Sequence, residues 1–174
     1  SVGKMCPSRT DRFANLSFAN QGAKLWGWDL TAQRELLRSE SVGSLSGSVQ
    51  MSYLKAINST TQSALYNTMP FTAKFGLSQR TGAWLHAAEL QWVDAKNDVS
   101  TIRNEQKTSA YALLNLRTSY SWKQARLDVG IDNVLDRYYA HPQGGAYVGQ
   151  RPMTWGIPVP GPGRSINVGV NFSF

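Results

Sequence analysis

The chain has 174 residues, 41% of them hydrophobic, and its mean hydropathy is −0.35; that is enough for one domain with a sizeable core, with nothing in the length demanding two. Long uncharged stretches such as 56–73 are rich in Ser, Thr and Asn, which excludes a transmembrane helix but not a membrane barrel, whose backbone groups are satisfied between strands. The formal charge of +7 is scattered from Lys4 to Arg164 without a basic block, against a nucleic-acid footprint, and the single Cys6 excludes an internal disulfide.

Taken in chain order, the pattern is one of strands with period two. Residues 13–20 read either as a separate strand or as the outer extension of the next one, so the count is eight or seven. Leu25, Gly27, Asp29 and Thr31 alternate with Trp26, Trp28, Leu30 and Ala32, and this strand runs to about Leu36. Leu45, Gly47, Val49, Met51 and Tyr53 then form an apolar face against Ser44, Ser46, Ser48, Gln50 and Ser52. Phe71, Ala73, Phe75 and Leu77 make the next apolar face, continued across a turn at Arg80-Thr81-Gly82 by Trp84, Ala88, Leu90 and Trp92. His86 falls on that same face, as an interfacial side chain rather than a ligand.

Ala112, Leu114, Leu116 and Tyr120 alternate with Asn115, Arg117 and Ser119, and Leu127, Val129 and Ile131 alternate with Asp128, Gly130 and Asp132. With Lys123 and Gln124 as a two-residue turn, Trp122 faces Ala125, Tyr120 faces Leu127 and Leu116 faces Ile131, so that apolar residues meet. The same register sets Arg117 opposite Gly130 and diagonal to Asp128 and Asp132, an expected ion-pair cluster inside a barrel lumen. The last strand carries Ile166, Val168, Val170, Phe172 and Phe174 on one face, with Ser165, Asn167, Gly169, Asn171 and Ser173 on the other.

Short turns near 38–41, 80–82 and 123–124 alternate with long polar connections over 57–70, 94–108 and 137–163. Outer-membrane barrels segregate their connections in this way, with short periplasmic turns and long outer loops. Trp26, Trp28, Tyr53, Trp84, Trp92 and Tyr120 lie toward strand ends, where an interfacial girdle belongs. The expected fold class is therefore all-β, built of antiparallel transmembrane barrel strands. A small self-contained eight-stranded barrel, in the outer membrane or soluble and ligand-binding, is the rival, and the soluble form inverts the two faces. No GxSxG, HExxH or Walker motif is present, and neither histidine has a nucleophile or paired acid at motif spacing, so an enzyme is not expected.

Several runs carry a family resemblance: Val129-Gly130-Ile131-Asp132-Asn133-Val134-Leu135-Asp136-Arg137-Tyr138-Tyr139, then Gly163-Arg164 with the closing strand, and earlier Tyr111-Ala112-Leu113-Leu114-Asn115-Leu116-Arg117 and Gly27-Trp28-Asp29. They resemble the C-terminal third of a TonB-dependent outer-membrane receptor, with Val134-Leu135 where Leu-Phe is usual. The resemblance implies about seven strands of a 22-stranded barrel, with residues 1–174 as its C-terminal portion and the plug domain absent from this chain. It implies a place in the Gram-negative outer membrane, with outer-membrane lipid, the barrel insertion machinery and, through an N-terminal region outside this sequence, the TonB complex as partners. It also makes the apolar ladder Ile166, Val168, Val170, Phe172 and Phe174 an assembly signal. The last loop, around His141-Pro142-Gln143-Gly144-Gly145 and Trp155-Gly156-Ile157-Pro158, is similar to that of the TonB-dependent copper receptors, so the implied cargo is copper or another metal or metal chelate. Met5, Cys6, His141 and Met153 are the loop residues with donors suited to copper, though no spacing marks them as a set. No resident cofactor is expected.

Overall fold

The computed structural model describes residues 20–147 and 156–173. Its strands are β1 (Ala23–Ser39), β2 (Gly43–Asn58), β3 (Thr72–Thr81), β4 (Trp84–Val93), β5 (Tyr111–Ser121), β6 (Ala125–Asp132), β7 (Ala146–Tyr147), β8 (Ile157–Pro158) and β9 (Ser165–Phe172). Seven of them form one sheet in the order β1-β2-β3-β4-β5-β6-β9, every neighbouring pair antiparallel, while β7 and β8 make a small ribbon within the last connection. Neighbours in sequence are thus neighbours in space, and the chain simply runs up and down. Among the described residues the sheet is open, with β1 and β9 at its edges. The proposed extra strand over 13–20 falls almost wholly outside those residues.

Register follows the apolar pattern. Val49 pairs with Phe75, Phe75 with Leu90, Leu90 with Leu114, and Leu116 with Ile131, which in turn faces Ile166. A slip of one residue anywhere in this series would turn an entire strand's apolar side chains to the polar face, so the pattern fixes the pairing. The β5–β6 hairpin has the expected register, Tyr120 opposite Leu127 and Arg117 opposite Gly130, with Trp122 donating its N–H to the Ala125 carbonyl at 2.7 Å across Lys123-Gln124. β1 departs from regularity at a bulge between Glu35 and Leu37.

One turn is displaced from its expected place. Pairing in the β3–β4 hairpin continues to Thr81 and Trp84, so the turn residues are Gly82 and Ala83 rather than Arg80-Thr81-Gly82. The reason is conformational: Gly82 takes φ +56°, which glycine alone adopts without steric cost, and it is therefore placed inside the turn.

The buried core is small and lies where the alternation gives no hint of it. Val93, Tyr111 and Leu113, with Met69 and Tyr139 packed against them, cluster at the long-connection end of the sheet. Val93 pairs with Tyr111 and Leu113 with Gln91, so these apolar residues share the polar face. The Tyr111 and Tyr139 rings are 4.5 Å apart. Loop residues thus fold over the end of the polar face and supply the cover that makes those positions dry.

Candidate functional site: the loop assembly above the polar face

The polar face of β4, β5, β6 and β9 is laced by side-chain hydrogen bonds. Asn115 donates to Glu89 at 3.2 Å, and Asn167 donates to Asp132 at 2.6 Å. Arg117 reaches Asp132 at 3.4 Å, but it does not gather both acids as its position suggests. Asp128 instead accepts from Arg126 at 2.8 Å, Ser119 at 2.5 Å and Asn171 at 3.1 Å. Arg126 lies two residues along the same strand face from Asp128, and Ser119 lies directly across from it, so both reach Asp128 more easily than a diagonal arginine. Arg117 itself has its side chain 69% exposed, and an exposed pair of this kind contributes about 0–1 kcal/mol.

The base of the last connection is closed by the segment Asn133-Val134-Leu135-Asp136. Asn133 and Asp136 both take φ 51°, a left-handed conformation that Asn and Asp tolerate better than other side chains. Asn133, buried, donates to the carbonyls of Arg137 at 2.9 Å and Pro162 at 3.3 Å and accepts from the Arg137 N–H at 2.8 Å. The Asp136 carboxylate accepts from the Arg164 N–H at 2.9 Å. The motif that carries the family resemblance is therefore a clasp holding both ends of the longest loop.

Above that clasp three loops meet at one ion pair. Lys96, 2% exposed, donates to Glu105 at 2.5 Å and to the Pro142 carbonyl at 3.0 Å. Glu105 also accepts the N–H of Ser100 and of Asn67, each at 2.8 Å, and Gln143 donates to the Asn67 carbonyl at 3.0 Å. One carboxylate thereby ties the connections 59–71, 94–110 and 133–164 together. Burial alone would push the Glu105 carboxyl up, but the Lys96 ammonium and the two backbone N–H groups outweigh it and hold the group below its ordinary value. Neither residue stands out in the sequence: they are nine apart in an aperiodic polar loop, and no local pattern links Lys96 to Asn67 or Pro142.

Beside this pair opens a cleft of about 290 Å³ whose walls include Tyr66, Arg103, Glu105, Thr108, His141 and Gly156. The Arg103 guanidinium lies over the Tyr66 ring, 5.4 Å from its centroid. His141 accepts the Gln143 N–H on Nδ1 at 3.2 Å, which leaves Nε2 to carry the ring proton when the imidazole is neutral. Of the four copper-ligand candidates only His141 lies within the described residues; Met5, Cys6 and Met153 lie outside them, as does Phe174 of the closing ladder. Among the described residues no group of three or more His, Cys, Asp or Glu is placed to hold a metal ion. His86, at the opposite end, shares a 2.8 Å hydrogen bond with Thr118 and stacks on Trp84 at 5.6 Å.

A single up-and-down antiparallel sheet, apolar on one side and hydrogen-bonded on the other, with short turns at one end and interlocked loops at the other, defines a barrel wall. The chain belongs to the TonB-dependent receptor-like β-barrel family, whose profile matches residues 5–134. The family is one of transport receptors, not of enzymes. Among solved structures, one described as the copper transporter OprC is similar with a TM-score of 0.77 and 24% identity, over 89% of this chain and 24% of that one. That likeness speaks for the fold, and this chain spans about a quarter of that protein's length. No curated protein sequence matches significantly.

Proposed function

We propose that this chain, residues 1–174, is the C-terminal portion of the barrel of a TonB-dependent receptor in the Gram-negative outer membrane, in a protein whose plug domain lies elsewhere. The observation that carries the reading is the family match together with the separation of short turns from interlocked long loops. On this reading the apolar face meets outer-membrane lipid, the polar face lines the lumen, and the loop assembly faces outward. The aromatic residues support it. Trp84, Tyr120 and Trp122 cluster with ring centroids 4.6–4.7 Å apart at the turn end, and Trp26 sits 5.4 Å from Tyr53 at the loop end. Along β4, Trp84 and Trp92 are eight residues apart, about 27 Å along a strand. A tilt of ~40° reduces that to ~20 Å, close to the ~25 Å apolar band of outer-membrane barrels.

The receptor's activity is then TonB-coupled uptake, with the TonB complex engaged through the N-terminal region and the insertion machinery recognising the closing strand. For the cargo we favour copper or another metal or metal chelate, because the last loop resembles that of copper receptors and the barrel wall is similar to that of a protein described as a copper transporter. Met5, Cys6, His141 and Met153 are the candidate donors, and thioether and thiolate groups select Cu(I) over Zn(II). Copper uptake by cells carrying the full-length receptor tests this. The Cys6→Ser, Met153→Leu double variant is expected to take up less copper than the parent. Undiminished uptake removes these residues from the path, and no uptake by the parent removes copper as cargo.

A further inference from the structure

The charges that do stand on the apolar face are all of one sign. The five acids of the seven sheet strands, Asp29, Glu35, Glu89, Asp128 and Asp132, fall on the polar face, as their partners across the sheet show. Three bases, Lys24, Arg34 and Lys55, fall on the apolar one. Lys24 and Lys55 lie at the loop end beside Trp26, and Lys55 reaches Asp98 at 3.7 Å. Arg34 is different: it is exposed, it heads the row continued by Gly47, Leu77 and Ala88, and it forms no salt bridge among the described residues. Glu35, next to it in sequence, is on the other face and accepts from Arg38 at 2.6 and 3.2 Å.

A second observation concerns the surface beside that guanidinium. Arg34 borders a hollow of about 720 Å³ on the apolar face. The depth comes from small residues: Gly47 and Ala88 flank Leu77 in one row across the sheet, while the next row carries Val49, Phe75 and Leu90. The bulge in β1 adds a wall, because its extra residue Leu36 lies over Gly47, where an added Cβ would meet Leu36 Cδ1 at 3.0 Å. Arg34 is six residues beyond Trp28 along β1, about 20 Å along a strand. With Trp28 at the outer boundary, a ~40° tilt makes that ~15 Å of a ~25 Å apolar band, which sets Arg34 in the turn-side leaflet.

We propose that Arg34 and this hollow bind one anionic phospholipid of the turn-side leaflet, with the guanidinium on the phosphate and an acyl chain against Phe75, Leu77 and Leu90. The proposal rests on the reading that the apolar face meets lipid. A lone guanidinium within the apolar band is costly unless it is neutralised or reaches the interface, and its planar N–H fork matches phosphate oxygens two at a time. The adjoining hollow takes the hydrocarbon attached to that phosphate. A second copy of the chain fits less well, since like faces meeting about a two-fold axis would bring bases and no strand acid together.

The test is native mass spectrometry of the purified full-length receptor titrated in detergent with phosphatidylglycerol and, separately, with phosphatidylethanolamine of the same chains. The expected result is one phosphatidylglycerol retained in preference to phosphatidylethanolamine, with affinity lowered about tenfold or more by Arg34→Gln, since one charge-assisted hydrogen bond is worth about that factor. Arg34→Lys should keep part of the affinity, Ala88→Phe, which fills the hollow, should lower it, and Lys24→Gln on the same face should leave it unchanged. Equal heat-induced shifts in gel mobility check that parent and variants are folded. Equal retention of the two lipids, retention unchanged in either Arg34→Gln or Ala88→Phe, or a receptor dimer abolished by Ala88→Phe overturns the proposal. Lipid-phase quenching of a fluorophore at position 168 reports separately whether the apolar face meets lipid, so failure of this site is told apart from failure of that reading.

Discussion

Lys96 and Glu105 join three of the long loops through one buried ion pair. Breaking a buried pair leaves one uncompensated charge and costs about 3–5 kcal/mol. Here the cost falls on loops rather than on the sheet, because the partners are Asn67, Ser100 and Pro142. Glu105→Gln or Lys96→Met is therefore expected to raise hydrogen exchange in residues 94–108 and 141–143 while β3, β4 and β5 stay protected. The same pair gives a pH dependence of known sign. The folded-state carboxyl is held below its ordinary value, so its contribution is fully present above the unfolded pKa of about 4.3 and disappears as pH falls through the lower folded value. Exchange in these loops should rise on acidification below about pH 4.3 in the parent and be flatter in Glu105→Gln. Equal exchange in parent and variant at pH 7 would remove the pair from loop order.

At the scale of the element, β9 separates the two faces most cleanly. Ile166, Val168 and Val170 lie opposite Ile131, Val129 and Leu127, while Asn167 and Asn171 bond to Asp132 and Asp128. Val168→Arg should cost about 2–4 kcal/mol if the apolar face is buried in lipid near the midplane, and Asn167→Arg should be tolerated in a wet lumen. Urea unfolding of the full-length protein in lipid measures both, and equal sensitivity at the two positions would contradict the assignment of faces. The closing ladder is also the proposed assembly signal. Deleting Phe174 from the full-length protein should lower its outer-membrane level without lowering synthesis; an unchanged level would remove that role.

For the whole molecule, what the sequence disclosed and what it did not follow from the range of the interactions. Period-two patterning is local, and it suffices to place strands along β1 to β6 and β9 and to set the β5–β6 register, where Leu116 meets Ile131 only if Lys123-Gln124 forms the turn, while the choice between seven and eight strands came from the family resemblance. The diagonal reach of Arg117 was legible, but its competition with Arg126 and Ser119 for Asp128 was not, because that depends on side-chain geometry. The loop assembly was invisible: Val93, Tyr111 and Leu113 sit on a face that reads as polar, and they are covered by Met69 and Tyr139 from distant connections. Asn133 and Asp136 were legible only as a motif, and the structure supplies its physical reason, a clasp on the last loop.

The central claim is that the apolar face meets lipid and the hydrogen-bonded face meets water, and a soluble ligand-binding barrel requires the reverse. Cysteine substitution at each position from 166 to 171, in a Cys6→Ser background of the full-length receptor in its membrane, tests this most directly. Each site is labelled with a polarity-sensitive fluorophore and quenched in turn by a lipid-phase and by a water-phase quencher. The account predicts period-two alternation, with positions 166, 168 and 170 quenched from lipid and positions 167, 169 and 171 from water. Alternation of the opposite sense, or none, would contradict it.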